Sequence, residues 1–267
     1  MKKEKLKISL FLELIILIIV LALTSVLITN NDNIEESSFL VNVDLETEIN
    51  IKIKELNKKY GIDIIYGIET KEIVKNVKGN ILLNEDIILK NLNIIENALS
   101  KYSNDFFKKD KLTIILLKSF NNNNLALASK NNLGEYKIYL SDNVNFERSI
   151  HHEIYHVFEY MNNTENNKNH IKWDKLNPEG FMYNNDLNLL NNNYVFGSNI
   201  EDKNIYFVSK YSKTSGREDR AEIFTEIMID KYDFSNNINI INKIDVIEDI
   251  INSTNSKVLI DVNKYDN

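Results

Sequence analysis

His152-Glu153-Ile154-Tyr155-His156 is the stretch of this 267-residue sequence that says most about its fold and its chemistry. On an α-helix, residues four apart lie about 40° from each other around the axis, so both imidazoles project from one face. The pattern His-Glu-x-x-His is typical of helices that bind zinc through the two histidines, with the glutamate as a general base. We therefore predict that His152 and His156 bind one zinc ion and that Glu153 is the base.

The flanking sequence favours a partly buried helix over residues 145–162. Its apolar side chains recur at spacings of three and four, as expected for a single buried stripe. They are Phe146, Ile150, Ile154, Val157, Phe158 and Met161. Asp142 or Asn145 can cap the start of this helix. The alternative is a solvated surface helix, which would carry His and Glu for solubility and would not need the stripe.

Composition narrows the possible chemistry. The chain is globular in composition, with 43% hydrophobic and 27% charged residues, and long enough for one large domain or two small lobes. Its formal net charge of −7 gives no sign of a basic surface that could bind phosphates, so no nucleic-acid partner is expected. The absence of cysteine excludes disulfides, thiolate ligands and a cysteine nucleophile. A further zinc ligand must therefore be His, Glu or Asp.

The amino end carries a membrane signal. Lysines at positions 2, 3, 5 and 7 precede an apolar run over residues 14–28. Residues 1–30 are thus either a cleaved signal peptide or a retained signal anchor, and the poor small-x-small match at Ala22-Leu23-Thr24 favours the anchor. In both cases the basic flank stays inside and residues 31–267 lie outside. We expect a bacterial protein that is secreted or anchored to the outer face of the cytoplasmic membrane, and a monomer.

Periodicity along the rest of the chain predicts a mixed helix and strand order followed by helices, which indicates an α+β fold. Helices are predicted from Val43 to Tyr60-Gly61 and over residues 85–107. Strands are predicted at 62–66, 112–117, 125–128 and 136–140. We divide residues 31–267 into an amino-terminal part, 31–110, and a catalytic core, 111–267. The loop over residues 173–183 holds the only Trp and the only Pro, and either fills space or shapes a substrate cleft.

A hydrolytic zinc site usually has three protein ligands, so the two histidines need a partner. His170 lies in a polar loop, and His151 points about 100° away from His152 on the same helix. Carboxylates concentrate instead in residues 211–228, where Ser215 to Glu218 also matches a helix capping box. Glu218, Glu222 and Glu226 follow one another at four-residue spacing, where like charges repel unless a metal or a histidine relieves them. Solvated glutamates are the alternative.

Together these segments resemble a known family. The His152 to His156 motif, Tyr211 and the run Glu218-Asp219-Arg220-Ala221-Glu222-Ile223-Phe224 are similar to the catalytic domain of anthrax lethal factor and to the Pro-Pro endopeptidases, which are gluzincin zinc peptidases. The resemblance covers residues 136–228 and, more loosely, 246–251. It implies a zincin-like domain, in which a small mixed sheet is followed by the active-site helix and a helical carboxyl-terminal lobe.

The resemblance also implies roles for individual residues. Glu218 would be the third zinc ligand, Tyr211 would face the reaction centre and donate to the oxyanion, and Glu222 would orient a ligating histidine. Two features depart from the family. Glu218 lies 62 positions after His156, more than in lethal factor, and Asp219-Arg220 replaces an aromatic pair. The longer spacing suggests an enlarged cleft loop. The Asp219-Arg220 pair leaves undecided which residues line the site.

The expected function is an extracytoplasmic zinc endopeptidase that hydrolyses peptide or protein substrates. Water activated by the metal would attack the peptide carbonyl, and Glu153 would transfer the proton. By the same resemblance, an extended peptide would pair with the strand at 136–140 or its neighbour at Leu125. Two alternatives stay open: a surface binding module that keeps zinc without turnover, and an amidase acting on cell-wall peptides.

Overall fold

The computed structural model describes residues 44–104, 106–108, 111–122, 124–162, 172–196 and 204–253. These residues belong to one unit, Asp44–Asn267. The predicted membrane segment, residues 1–30, lies outside the described residues, as does His170. Among the described residues, no helix is both long enough and apolar enough to cross a bilayer.

The described chain alternates helices and strands in its first half and is helical towards its end. The helices are α1 (Leu45–Tyr60), α2 (Lys71–Val77), α3 (Glu85–Leu99), α4 (Phe146–Asn162), α5 (Gly216–Ile229) and α6 (Ile238–Ser253). The strands are β1 (Ile62–Ile65), β2 (Gly79–Ile81), β3 (Leu112–Phe120), β4 (Ala126–Lys130) and β5 (Tyr136–Ser141). The predicted α+β class with a small mixed sheet is confirmed.

Local sequence explains where the first helices end. The Asp44 carboxylate accepts a hydrogen bond from the Thr47 N–H at the start of α1, and Gly61 ends the helix with φ of 73°, a left-handed conformation that favours glycine. The helix predicted over 85–107 is wrong in its last part, because α3 ends at Leu99. Beyond it, the N–H of Tyr102 bonds to the carbonyl only three residues back, which tightens the backbone into a turn.

The sheet is mixed and centres on β3. In the order β1-β3-β5-β4, β1 and β5 run parallel to β3, and β4 runs antiparallel to β5. The short strand β2 pairs antiparallel with the carboxyl end of β3. Ile114 and Leu116 of β3 face the main hydrophobic core, whereas Ile115 and Leu117 face a smaller cluster on the other side. Burial on both faces explains the continuous apolar run from Leu112 to Leu117.

Among the described strands, β4 lies at an edge of the sheet, and none of them pairs with its outer side. The Ser141 N–H donates to the Leu125 carbonyl, and the Asn131 N–H donates to the Glu135 carbonyl. In an antiparallel pair such hydrogen-bonded positions alternate with outward-facing ones. The N–H and C=O groups of Ala126, Ala128 and Lys130 therefore point away from β5, towards the open edge.

Helix α4 runs beside this edge and is buried on most of its surface. The predicted apolar stripe is confirmed from Phe146 to Phe158, where Ile150, Ile154 and Val157 have no exposed surface. Most of the remaining positions of α4 are also buried, because α5 packs against its other side. Burying polar side chains on such a helix is costly without partners, and both His152 and His156 find partners on α5.

Candidate metal centre

His152 and His156 lie side by side on the buried face of α4, as their spacing predicts. Their ring centroids are 4.8 Å apart and the ring planes are nearly perpendicular, at 86°. The two Nε2 atoms lie 3.2 Å from each other. Two ring nitrogens that face each other at this distance present lone pairs to a common point once both are deprotonated.

Glu218 reaches the same point from the first turn of α5. The Ser215 hydroxyl caps this helix by accepting a hydrogen bond from the Glu218 N–H at 3.1 Å. The Glu218 side chain does not complete a capping box. Its Oε2 lies 2.9 Å from His152 Nε2 and 3.2 Å from His156 Nε2. Burial would raise the pKa of Glu218, but its hydrogen bonds with both imidazoles hold that pKa well below its usual range.

These three ligand atoms form what we call the metal centre: His152 Nε2, His156 Nε2 and Glu218 Oε2. Tetrahedral ligands at about 2.0 Å from zinc stand about 3.3 Å apart, close to the observed separations of 2.9–3.2 Å. Two imidazoles and one carboxylate are also a donor set that catalytic zinc sites use, with a fourth position left for water. The residues present could therefore hold a zinc ion.

The whole fold is similar to that of a candidate zinc-binding metallo-peptidase from Bacteroides caccae, known from a crystal structure. The match has a TM-score of 0.51 at 14% sequence identity and covers 87% of this chain and 91% of that one. The chain has a metallopeptidase-like fold. No protein-family model and no curated protein sequence matches it.

Glu153 follows the first histidine and is buried between α4 and the edge strand. Its carboxylate is a hydrogen-bond partner of the Ala128 backbone N–H, one of the outward-facing groups of β4. Burial raises the pKa of Glu153, while the neighbouring imidazoles of His152 and His156 lower it. The Glu153 carboxylate therefore lies close enough to both imidazoles for their charges to affect its pKa.

Tyr211 stands on the open side of the metal centre. It begins a short 3-10 turn, Tyr211–Lys213, and its ring centroid lies 5.9 Å from that of His152. The side chain is 43% exposed, so it lines a surface that solvent or a ligand can reach. Burial of the hydroxyl and the charges of Glu218 and Glu153 raise the pKa of Tyr211 well above its usual range. Its hydroxyl therefore stays protonated at neutral pH and can donate a hydrogen bond.

Glu222 lies one helical turn after Glu218. Its carboxylate contacts the His152 ring on the side opposite the metal centre. Its Oε1 is 3.0 Å from His152 Nδ1, the ring nitrogen that faces away from the metal centre. Burial would raise the pKa of Glu222, but the hydrogen bond with His152 and the charge of Arg148 lower it to about 2. Glu222 is therefore the hydrogen-bond partner of the second ring nitrogen of His152.

Arg148 is part of this arrangement and was missed by the sequence analysis. From α4 its guanidinium donates to Glu222 Oε2 at 2.6 Å and also to Glu226 Oε1. One cation therefore relieves the repulsion expected along the line of glutamates on α5. The sequence does hold a weak signal, since Arg148 lies four residues before His152 and so on the same face of α4.

Other polar residues considered as ligands or lining lie elsewhere. His151 is fully buried and its Nδ1 is 2.8 Å from the Tyr102 hydroxyl, away from the metal centre. Asp219 and Arg220, which replace the family's aromatic pair, do not line the site. Asp219 faces Lys243 of α6, and the Arg220 Nε–H donates to Glu159 of α4 at 2.8 Å.

The predicted cleft loop over residues 173–183 is anchored to the base of α5. The indole N–H of Trp173 and the hydroxyl of Tyr183 both donate to Asp219 Oδ2, at 3.0 and 2.9 Å. Trp173 has no exposed surface, whereas Met182 is 82% exposed. The loop therefore fills space through Trp173, as one of the two predicted roles requires, and its part in shaping a substrate cleft stays a prediction.

Proposed function

We propose that this chain is a zinc-dependent endopeptidase with one zinc ion as cofactor. The main support for this proposal is that His152, His156 and Glu218 converge beside the buried carboxylate of Glu153. The metallopeptidase-like fold supports the same reaction class. The substrate would be a peptide or protein.

In this proposal each residue has a separate task. Zinc held at the metal centre would supply a Lewis acid that polarises the peptide carbonyl and lowers the pKa of water to about 7. The Glu153 carboxylate takes a proton from the attacking water and gives it to the leaving amine. The Tyr211 hydroxyl donates to the carbonyl oxygen as negative charge develops there. Glu222 accepts from His152 Nδ1 and so fixes that ring.

The open edge of β4 supports an extended peptide as substrate. No described strand pairs with the outward-facing backbone groups of Ala126 and Lys130, which suit strand addition, and the N–H of Ala128 is a hydrogen-bond partner of Glu153. Of the two strands predicted to pair with substrate, β5 lies between β3 and β4 and has no open edge. We therefore assign substrate pairing to β4. Pairing along an edge needs no chain terminus, which favours an endopeptidase.

The remaining features of the proposal rest on sequence. The resemblance to the lethal factor and Pro-Pro endopeptidase family supplies the assignment to gluzincins and the role of Tyr211. The basic flank and apolar run in residues 1–30 support an extracytoplasmic enzyme that is secreted or membrane-anchored. We also expect the enzyme to be a monomer. Intact-mass measurement of the mature chain tests whether residues 1–30 are removed. Sedimentation in solution tests whether the protein is a monomer.

The Glu153→Gln variant of the full chain tests the proposed reaction. Glutamine keeps the size of the side chain but cannot take a proton, so cleavage of a peptide library should fall by about 10²- to 10⁴-fold. Metal analysis should still find one zinc ion per chain. Glu147→Gln, the same substitution on α4 away from the metal centre, is the matched control and should cleave at the wild-type rate.

The other outcomes separate the alternatives. A Gln variant that binds zinc and cleaves as fast as the wild type contradicts the role of Glu153. If the wild type binds zinc and digests purified cell wall but no peptide of the library, the amidase alternative holds. If it binds zinc and hydrolyses neither, the chain is a binding module.

A further inference from the structure

Both imidazoles of the metal centre are backed by ion pairs that cross between α4 and α5. Behind His152, Arg148 of α4 reaches Glu222 of α5. Behind His156 the arrangement is reversed, because Arg220 of α5 reaches Glu159 of α4. Each histidine thus has a glutamate on its Nδ1 side, and each glutamate is held by an arginine from the opposite helix.

The contact at His156 is buried and has a defined geometry. Glu159 lies three residues after His156 on the same face of α4, and its Oε2 is 3.8 Å from His156 Nδ1. Its other oxygen, Oε1, accepts the hydrogen bond from Arg220 Nε at 2.8 Å. The side chains of Glu159 and Arg220 are only 3% and 5% exposed. One carboxylate oxygen therefore accepts from Arg220, and the other lies between His156 Nδ1 and the guanidinium of Arg217.

We propose that Glu159, held by Arg220, is a positioning residue that orients the His156 ring for metal binding, as Glu222 held by Arg148 does for His152. The inference rests on the zinc site proposed above. A neutral imidazole that binds metal through Nε2 carries its proton on Nδ1, and this N–H needs an acceptor. Glu159 Oε2 lies 3.8 Å from Nδ1 in this structure, and a small movement of the ring or the carboxylate brings it within hydrogen-bond distance.

Arg217 occupies the same region and competes with Glu159 for His156 Nδ1. Its Nε–H donates to His156 Nδ1 at 3.1 Å, which requires Nδ1 to be unprotonated. When Nε2 binds metal, Nδ1 carries the proton, and two donors cannot share one hydrogen bond. Arg217 Nε also lies 3.4 Å from Glu159 Oε2. The guanidinium therefore retains an ion pair with Glu159 when its hydrogen bond to His156 Nδ1 is lost.

The competing explanation is that Arg220 and Glu159 only join the two helices. That role predicts a loss of stability when the pair is broken, with unchanged zinc affinity in the protein that remains folded. A positioning role predicts a loss of zinc affinity in the folded protein, because the His156 ring is no longer held. Zinc affinity and the visible spectrum of the cobalt-substituted protein therefore separate the two roles, whereas stability alone does not.

Glu159→Gln in the full chain is the primary test. Arg220 and His156 face different oxygens of Glu159, and glutamine replaces one of these oxygens with an NH2 donor, so one of the two partners loses its acceptor. Zinc affinity, measured by competition with a chelator, should fall by about 10- to 100-fold, and the cobalt spectrum should change. The matched control is Glu96→Gln, which removes a carboxylate from the ion pair with Lys52 between α1 and α3. It should leave both readouts as in the wild type.

A second variant keeps the test decisive if Glu159→Gln does not fold. Glu159→Asp retains the charge next to Arg220 but withdraws the carboxylate by one methylene group, and should lower zinc affinity at least about 10-fold. Wild-type affinity and an unchanged cobalt spectrum in either folded variant would overturn the proposal. Failure of the proposed function looks different, because the wild type would then bind zinc without cleaving peptide.

Discussion

Tyr211 carries the most specific chemical expectation for a single residue. Its hydroxyl stays protonated because burial and the surrounding carboxylates raise its pKa, and its ring lies beside His152. Tyr211→Phe removes only the donor that would stabilise the oxyanion. We expect kcat to fall by about 10²- to 10³-fold, with KM and zinc content close to the wild type. Steady-state kinetics on a cleaved library peptide, with metal analysis, checks this.

The control for that variant is Tyr206→Phe, whose side chain lies outside the metal centre and packs against Tyr194. It should leave kcat unchanged. A Tyr211→Phe enzyme with wild-type kcat would show that another group stabilises the oxyanion, and a rise in KM alone would assign Tyr211 to substrate binding.

At the scale of residues, the sequence identified the parts of the site that local spacing defines. His152, Glu153 and His156 follow from the helical period, and Ser215 follows from the capping pattern. Glu218 needed the family resemblance, because the same position fits a capping box equally well. The ion pairs of Arg148 with Glu222 and of Glu159 with Arg220 could not be identified, since each spans more than 60 positions in sequence. No local pattern states which of many glutamates an arginine will meet.

At the scale of elements, a fully buried ion pair joins α5, α6 and the loop at 173–183. Lys243 Nζ donates to Asp219 Oδ2 at 2.6 Å, and neither side chain has exposed surface. Lys243→Met leaves Asp219 buried without its counter-charge and should lower the free energy of unfolding by about 3–5 kcal/mol. Urea denaturation of the full chain measures this change.

Two further variants identify the cause of that loss. The double variant Asp219→Asn with Lys243→Met removes both charges and should recover part of the stability, because no unpaired charge remains. Lys75→Met breaks the exposed pair with Glu72 and should change stability by less than about 1 kcal/mol. Equal losses in the single and double variants would mean that lost packing, not the unpaired charge, is responsible.

The elements differ in how well their sequence defines them. α1, α4 and the strands β1, β3 and β5 were predicted from their apolar spacing or apolar runs, and β4 was predicted although only Ala128 of its residues is buried. α2 and β2 were not predicted, since they span only seven and three residues and show no complete period. The end of α3 was placed too late because Tyr102 continues the apolar spacing, although the backbone has already turned.

At the scale of the whole molecule, the order of the strands and the meeting of α4 with α5 decide the site. Neither follows from local pattern, because β1 pairs with β3 across about 50 positions and Glu218 meets His156 across 62. Such long-range pairings depend on how all apolar faces are buried together. For this reason the sequence predicted the α+β class correctly but not the order of the strands. The edge position of β4 is known only from the structure.

The metal centre should therefore stabilise the whole fold, because its ligands come from two helices that are far apart in sequence. A ligand that binds only the folded state raises the free energy of unfolding by RT ln(1 + [L]/Kd), about 2.7 kcal/mol at a zinc concentration of 100 times Kd. Removing zinc with a chelator should lower the midpoint of thermal unfolding by a corresponding amount. Glu218→Ala should unfold at the same temperature with and without chelator, since it lacks one ligand. An equal response of both proteins would mean that zinc binds elsewhere, and no response of the wild type would mean that α4 and α5 are not joined by metal.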